Sequence, residues 1–467
     1  VLVHTLFPLE PEETMTDRFA TIILAAGQGK RMHSSLPKAL HPLAGKPMID
    51  YSLKAAAALS SAPPVVVVGH GGEAVQKAVG EGPRFVYQEP QLGTAHAVQM
   101  AAPLLAGKVD LVLVTYADTP LLRVETLQRL VEVQKHNSGP LSLLTVMGGG
   151  KSDLGQVVRR PDGRVQAVVE KDQASPEALA RRELNAGLFC ISGDWLWDAL
   201  LRLPVSPTGE YYLTGLVELA ASDGLAVETL CVEDAEEALG VNDRLRLAEA
   251  EAIMRRRINT AHMLAGVTII NPENTYIESD VQIGADTILW PNTYLRGNTI
   301  IGCGCTIGPN TIMEDCRVGN DCTILAAVME KAVLEDGVDM GPFARLRKGA
   351  HLAKGVHMGN FGEIKNSYLG PGTKMGHFSY IGDATIGVDV NIGAGTITCN
   401  FDGVHKLPTE IGDHAFIGSD TMLVAPVKIG EGAHTGAGTV VTHDVPPGET
   451  VVGVPSRPLR KQDKGDR

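Results

Sequence analysis

From Thr21 to about Asn242, short apolar runs alternate with stretches of helical character. TIILAAG (Thr21 to Gly27), VVVVGH (Val65 to His70), RFVYQE (Arg84 to Glu89) and VDLVLVTYAD (Val109 to Asp118) read as strands, and segments such as HAVQMAAPLLA (His96 to Ala106) read as the helices between them. That rhythm predicts an α/β, Rossmann-like domain with a parallel, doubly wound sheet, in which ligands sit at the carboxyl ends of the strands. The loop after TIILAAG and Asp118 both fall at such ends.

The segment NDRLRLAEAEAIMRRRINTAHMLAG, Asn242 to Gly266, reads as one long charged helix that closes on a glycine and joins two halves. Beyond it an aliphatic residue followed by glycine recurs at six-residue spacing: Ile301-Gly302 and Ile307-Gly308, Ile386-Gly387 and Ile392-Gly393, Ile411-Gly412 and Ile417-Gly418. Val338, Ala344, Ala350 and Val356 keep the same interval, as do Leu423 and Ile429 after Ile417. This is the hexapeptide pattern of a parallel β-helix, three hexads to a coil, and Val267 to Pro455 suffices for about ten coils. The register fails between Thr398 and Ile411, where CNFDGVHKLPTE intervenes, so a loop leaves the solenoid there. The expected organisation is an extension over 1–14 with Met15 as the natural start, a first domain over 15–243, a linker helix over 244–266, a β-helix over 267–455 and a tail over 456–467.

Composition narrows the function. A chain of 467 residues holds more than one core, and a net charge of −13 argues against a nucleic-acid partner, which needs a basic face. Seven cysteines occur without a CxxC pair, and Cys303 and Cys305 lie too close along one side of a strand to form a metal clip. Reduced thiols in a cytoplasmic protein are expected. No apolar run reaches membrane-spanning length, and the first residues carry acids and prolines where an export signal would carry a basic end.

The segment LAAGQGKRMHSSLPKALHPLAGKPM, Leu24 to Met48, has the content of a phosphate-holding loop but matches neither common pattern. A dinucleotide fingerprint would need glycine where Met32 stands. A Walker loop ending at Gly29-Lys30 would need glycine at Leu24 and Ser or Thr at Arg31, and Gly45-Lys46 fails likewise at Leu40 and Pro47. What remains is a strand ending in Ala-Ala-Gly, whose backbone N–H groups can approach an anion, with Arg31 and Lys38 adding charge.

LAAGQGKRM followed by LPKAL resembles the signature of sugar-1-phosphate nucleotidyltransferases, and a hexapeptide β-helix containing NIGAGTITCNFDG resembles an acetyltransferase. Together, over roughly Thr21 to Pro455, they resemble the bacterial bifunctional N-acetylglucosamine-1-phosphate uridylyltransferase/glucosamine-1-phosphate acetyltransferases, which make the sugar nucleotide of cell-wall synthesis. The resemblance implies a left-handed β-helix, a homotrimer, UTP and acetyl-CoA as co-substrates, and Mg²⁺.

For uridylyl transfer it implies that Leu24, Ala25, Ala26 and Gly27 cradle the nucleotide and that Arg31 and Lys38 hold phosphates and support catalysis. Gln88, Gly93 and Thr94 would read the uracil, whose edge offers carbonyl acceptors and one N–H. Tyr116 would flank the nucleotide, Asp118 and Asn242 would bind Mg²⁺, and Gly155, Glu170 and Asn185 would contact the sugar. On residue type alone Asp118 would equally cap a turn and Asn242 begin a helix. Lys30, Ala117, Gln156 and Ala186 stand where Thr, Gly, Arg and Ser or Thr are usual. The implied reaction is in-line attack of a sugar phosphate on the α-phosphorus of UTP, with no side-chain nucleophile.

For acetyl transfer the resemblance makes His377 the general base, since an ammonium must lose a proton before it attacks a thioester and imidazole suits that task. Arg347, Lys365, Glu363, Tyr380 and Asn391 would bind the amino sugar phosphate, and Ala394, Asn400, Phe401, Ser419, Ala437 and Arg457 acetyl-CoA. Phe401 replaces a common tyrosine, and Val454 stands where arginine is usual, with Arg457 as the substitute. Two other readings fit the halves: a single-activity nucleotidyltransferase whose β-helix only assembles subunits, and a regulatory subunit without activity.

Overall fold

The computed structural model describes residues 18–148, 154–169, 176, 180, 182–207 and 209–458. The expected extension over 1–14, with Met15, and Glu170 lie outside the described residues. The chain divides into two compact units between Met254 and Arg255.

The first unit is built on a nine-stranded sheet. Its strands are β1 (Phe19–Ala25), β2 (Val65–Val68), β3 (Arg84–Tyr87), β4 (Leu111–Tyr116), β5 (Leu141–Met147), β6 (Gln156–Arg159), β7 (Val165–Val169), β8 (Glu183–Ser192) and β9 (Val227–Val232). The main path runs β9-β5-β8-β4-β1-β2-β3, with β6 and β7 as a side hairpin on β8. Burial on both faces explains the unbroken apolar runs: all four valines of β2 are fully buried. The sheet is mixed, against the parallel expectation. β8 runs antiparallel to β4 and β5. A strand buried on both faces carries no alternation, so its sequence does not encode its direction.

β1 and β4 are parallel neighbours with Leu24 opposite Tyr116, so the glycine loop after β1 and Asp118 after β4 leave the same sheet edge side by side.

The second unit is a left-handed parallel β-helix. Its three sheets hold 12, 10 and 9 strands, each sheet collecting one strand from successive coils, except that the last strand of the first, Arg457–Pro458, folds back antiparallel. Ile301, Ile307, Ile386, Ile392, Ile417, Leu423 and Ile429 point inward and are buried. Val338, Ala344, Ala350 and Val356 are also buried but belong to the corners, where small side chains stack: Cys305 and Cys322 precede the paired Thr306 and Thr323 in one such column. Two inward columns share the six-residue period. Cys303 is exposed while Cys305 is buried, so the pair does not share a side as expected, and all seven cysteines are free. The insertion after Thr398 folds as a small hairpin in which Phe401 pairs with Lys406. Asp402 caps its turn by accepting from the N–H groups of Val404 and His405 at 2.8 and 2.6 Å.

The long helix spans Arg244–Leu264. Within the first unit its Ala250 and Ile253 pack with Leu43, Met48, Leu121 and Val241. Within the second, Ile258 packs on the β-helix core and the Asn259 amide donates to the carbonyls of Pro272 and Thr275 at 2.8 and 3.1 Å. No helix among the described residues is long and apolar enough to cross a membrane.

Candidate functional sites

A cavity of about 560 Å³ opens at the carboxyl ends of β1 and β4. Leu24, Ala25, Ala26, Gly27, Arg31, Lys38, Gln88, Gly93, Thr94, Tyr116, Asp118 and Asn242 all line it, as do Lys30, Gln91 and Glu210. The glycine loop is shaped by Gly29, whose backbone is left-handed (φ 60°) and whose Cβ, if present, would lie 2.8 Å from the Lys38 Cβ. The far end of the loop is pinned from the long helix: Arg244 donates to the Met32 carbonyl at 3.2 Å and meets His41 Nδ1 at 3.3 Å. Burial first, and then the Arg244 charge, hold His41 below the usual imidazole range.

Gln88 is buried, and its Nε2 donates to the Gly93 carbonyl at 2.8 Å and contacts His96 Nδ1 at 3.2 Å. The amide is thereby oriented with Oε1 left as the acceptor, which suits a pyrimidine N–H. Gly93 is obligatory, because its φ is 100° and a Cβ there would meet the Tyr211 carbonyl oxygen at 2.5 Å. The Thr94 hydroxyl accepts from the Leu213 N–H at 2.9 Å and so anchors the wall. Burial, reinforced by Asp118, keeps the Tyr116 phenol protonated.

Asp118 and Asn242 meet because the Val241 N–H donates to the Asp118 carbonyl at 2.8 Å. Between their side chains lies the ammonium of Lys38, which donates to the Asp118 carboxylate and, at 2.7 Å, to Asn242 Oδ1. Sequence assigned Lys38 to phosphates; here it sits on the two oxygens assigned to a metal. Those oxygens therefore converge on one cation position, and a hard-oxygen pair of this kind, completed by phosphates and water, fits Mg²⁺. Gly155 and Asn185 do not line the cavity. They join each other, the Asn185 N–H donating to the Gly155 carbonyl at 2.8 Å, and Asn185 Oδ1 accepts from the Gly187 N–H at 3.0 Å.

On the β-helix, Glu363 and Tyr380 are paired in neighbouring coils, and Arg345 pairs with Glu363, which puts Arg347 and Lys365 at one level of successive coils. Arg347 donates to Glu363 at 3.0 Å. Lys365 is held below the usual lysine range, first by a side-chain contact with Lys406 and then by the charges of Lys406 and Arg347, against the opposing pull of Asp383. Three cations thus gather on one face, and the nearby Asp383 is engaged by the amides of Asn366 and Asn400 at 2.7 and 2.6 Å. Such a cluster favours a dianion. Lys406 was missed by sequence reasoning; the break in the hexapeptide register was its only signal.

His377 is exposed and makes no hydrogen bond among the described residues. It lies three residues beyond Lys374, in the register Lys374, Asn391, Phe416, His434 across four coils. The same offset gives Ala394, Ser419 and Ala437, so the predicted base and the three small residues form one corner column. Phe401 is exposed beside Asn400, and the Arg457 guanidinium donates to the Ser456 carbonyl at 2.9 Å, with Val454 exposed nearby in sequence.

An anion loop and convergent cation ligands at the edge of an α/β sheet, carried with a hexapeptide β-helix, define a nucleotidyltransferase joined to a hexapeptide acyltransferase. Residues 21–182 match the MobA-like NTP transferase domain, and residues 408–443 match the bacterial transferase hexapeptide (six repeats). The chain is similar to the bifunctional protein GlmU of Pelobacter propionicus, 46% identical over 93% of this chain and 96% of that one. It is also similar to those of Enterococcus faecalis, 43% identical over 88% and 90%, and of a Geobacillus species, 42% identical over 97% and 98%. The chain belongs to the GlmU family. It is a bifunctional enzyme, a sugar-1-phosphate uridylyltransferase and a CoA-dependent N-acetyltransferase of UDP-N-acetylglucosamine biosynthesis.

Proposed function

We propose that the acetyltransferase reaction occurs at the His377 corner of the β-helix and uridylyl transfer in the cavity at the carboxyl ends of β1 and β4. The domains carrying them would span 267–455 and 15–243, with the helix over 244–266 between. The observation that supports this reading best is the separate clustering of two chemistries: Lys38 with Asp118 and Asn242 in one unit, and Arg347, Lys365 and Lys406 in the other.

At the β-helix, the cationic cluster holds the phosphate of glucosamine-1-phosphate, and His377 takes a proton from its amine as nitrogen attacks the acetyl thioester. The new C–N bond forms, the C–S bond breaks, and CoA leaves as thiol. The column Ala394, Ser419 and Ala437 leaves space for the pantetheine chain, with Tyr380, Asn391, Asn400 and Phe401 beside the substrates and Arg457 toward CoA. In the first unit, Gln88 and Gly93 orient the uracil, the Leu24 to Gly27 backbone approaches the phosphates, and Arg31 and Lys30 screen their charge. Asp118 and Asn242 would hold Mg²⁺, which when bound would supply positive charge to neutralise the phosphates. The phosphate of N-acetylglucosamine-1-phosphate displaces pyrophosphate in line, so positioning supplies most of the acceleration. Gly155 and Asn185 are kept as sugar-side residues, acting through the backbone bond that joins them. Incubation with glucosamine-1-phosphate, acetyl-CoA, UTP and Mg²⁺ should yield UDP-N-acetylglucosamine, CoA and pyrophosphate by mass spectrometry. Absence of CoA removes the acetyltransferase site, and absence of pyrophosphate when N-acetylglucosamine-1-phosphate is supplied directly removes the uridylyltransferase site.

Lys406→Ala should raise KM for glucosamine-1-phosphate about tenfold or more, with kcat for acetyl transfer little changed, because one charge-assisted phosphate contact is lost. An unchanged KM would take Lys406 out of the site.

The enzyme is assigned to the cytoplasm, in keeping with seven free cysteines. It is assigned a homotrimeric state, supported by Phe343, Phe361 and Phe378, which recur on consecutive coils at 62, 60 and 56% exposure, the first two stacked at 5.4 Å. A row of exposed aromatics on a solenoid face calls for cover. Light scattering should give three times the chain mass, and a monomer with full acetyltransferase activity would refute it.

A further inference from the structure

We propose that Lys38 and the divalent cation alternate on Asp118 and Asn242: the ammonium occupies the pair before nucleotide binds and is released toward a phosphate when the metal takes its place. This rests on the reading of Asp118 and Asn242 as the metal pair. The two oxygens are already spent on a cation, since the Lys38 ammonium bonds both. A second, doubly charged ion on the same oxygens would be strongly repelled by an ammonium left there, so the two occupants exclude each other.

The chain is built for such an exchange. The base of the lysine is fixed, because Lys38 opens a short turn whose Ala39 and Leu40 are buried, and Gly29 packs against its Cβ. The four-carbon stem beyond that point has the rotatable bonds to swing the ammonium while the backbone stays in place. Lys38 lines the same cavity as Lys30 and Arg31, so an incoming polyphosphate meets cations on several sides and offers the ammonium a new partner. The metal and the phosphate then favour each other's binding, as reciprocal coupling requires, and the protein without nucleotide holds its metal weakly. Lys38 is in this sense a stand-in counter-ion as well as a phosphate ligand.

The test is Mn²⁺ binding to the metal-free full chain without nucleotide, followed by the electron paramagnetic resonance signal of the free ion. Parent, Lys38→Met, Asp118→Asn and the Lys38→Met/Asp118→Asn double variant are compared, with Lys38→Gln as a second neutral replacement if the methionine variant does not fold. Lys38→Met should bind Mn²⁺ about tenfold or more tightly than the parent, and the double variant should lose that gain. If Lys38→Met binds no more tightly than the parent while Asp118→Asn weakens binding, the exchange is wrong and the metal pair stands. If the double variant binds as tightly as Lys38→Met, the metal pair is wrong and the exchange falls with it. If no protein binds Mn²⁺, the exchange is overturned, and the metal pair is judged by the effect of Asp118→Asn on uridylyl transfer.

Discussion

Replacing His377 by alanine lowers acetyl transfer by on the order of a hundredfold or more, leaves the KM for glucosamine-1-phosphate close to the parent's, and leaves uridylyl transfer unchanged. The expectation follows from where the side chain stands. His377 is exposed at a corner and bonds no other described group, so its removal costs the β-helix no packing and no buried hydrogen bond. The cations that would hold the sugar phosphate, Arg347, Lys365 and Lys406, belong to other coils and to the insertion hairpin, and they stay where they are. The loss should therefore fall on kcat. Added imidazole should recover part of the rate, since the missing element is a proton acceptor in a site open to solvent. A variant with near-parent turnover would return the β-helix to the role of a scaffold.

Asp118→Asn reduces uridylyl transfer by on the order of a hundredfold or more while acetyl transfer continues. Among the described residues Asp118 supplies the only carboxylate bonded to the Lys38 ammonium, and Asn242 Oδ1, its partner there, carries no charge. The amide keeps the volume and one oxygen but removes the negative charge that attracts a divalent ion, so weak activity should return only at raised Mg²⁺. Coupled detection of pyrophosphate over a Mg²⁺ series reads this directly. Full activity in the variant at ordinary Mg²⁺ would place the metal elsewhere.

Much of the fold was legible because the chain repeats itself. Inward aliphatic residues at six-residue spacing leave one solution, a stack of coils, and the apolar runs of β1 to β4 leave few others. The direction of β8 was hidden because a strand buried on both faces looks the same read either way. The cavity of the first unit was legible in its loop, since Leu24 to Gly27, Arg31 and Lys38 come within a few residues of one another. The pair proposed for the metal joins residues 118 and 242, and only the resemblance brought those together. Two features escaped: the seating of Lys38 between Asp118 and Asn242, which is a matter of side-chain geometry, and Lys406, one lysine in an irregular loop whose meaning appears when the hairpin carries it against Lys365. Gly155 and Asn185 teach the converse. They match a pattern, yet the bonds they make tie the start of β6 to β8 and shape the irregular stretch of β8 between Asn185 and Phe189.

The proposed independence of two sites on one chain, each with its own residues, makes them separable by mutation. It is tested most directly by giving glucosamine-1-phosphate, acetyl-CoA, UTP and Mg²⁺ to the His377→Ala protein, to the Asp118→Asn protein and to an equal mixture, with the products followed by mass spectrometry. The first should leave glucosamine-1-phosphate unacetylated, the second should accumulate N-acetylglucosamine-1-phosphate, and the mixture should make UDP-N-acetylglucosamine at a rate approaching the parent's. A mixture no more active than either variant alone, or a His377→Ala protein that also fails to convert added N-acetylglucosamine-1-phosphate to UDP-N-acetylglucosamine, would show that the two sites are not independent.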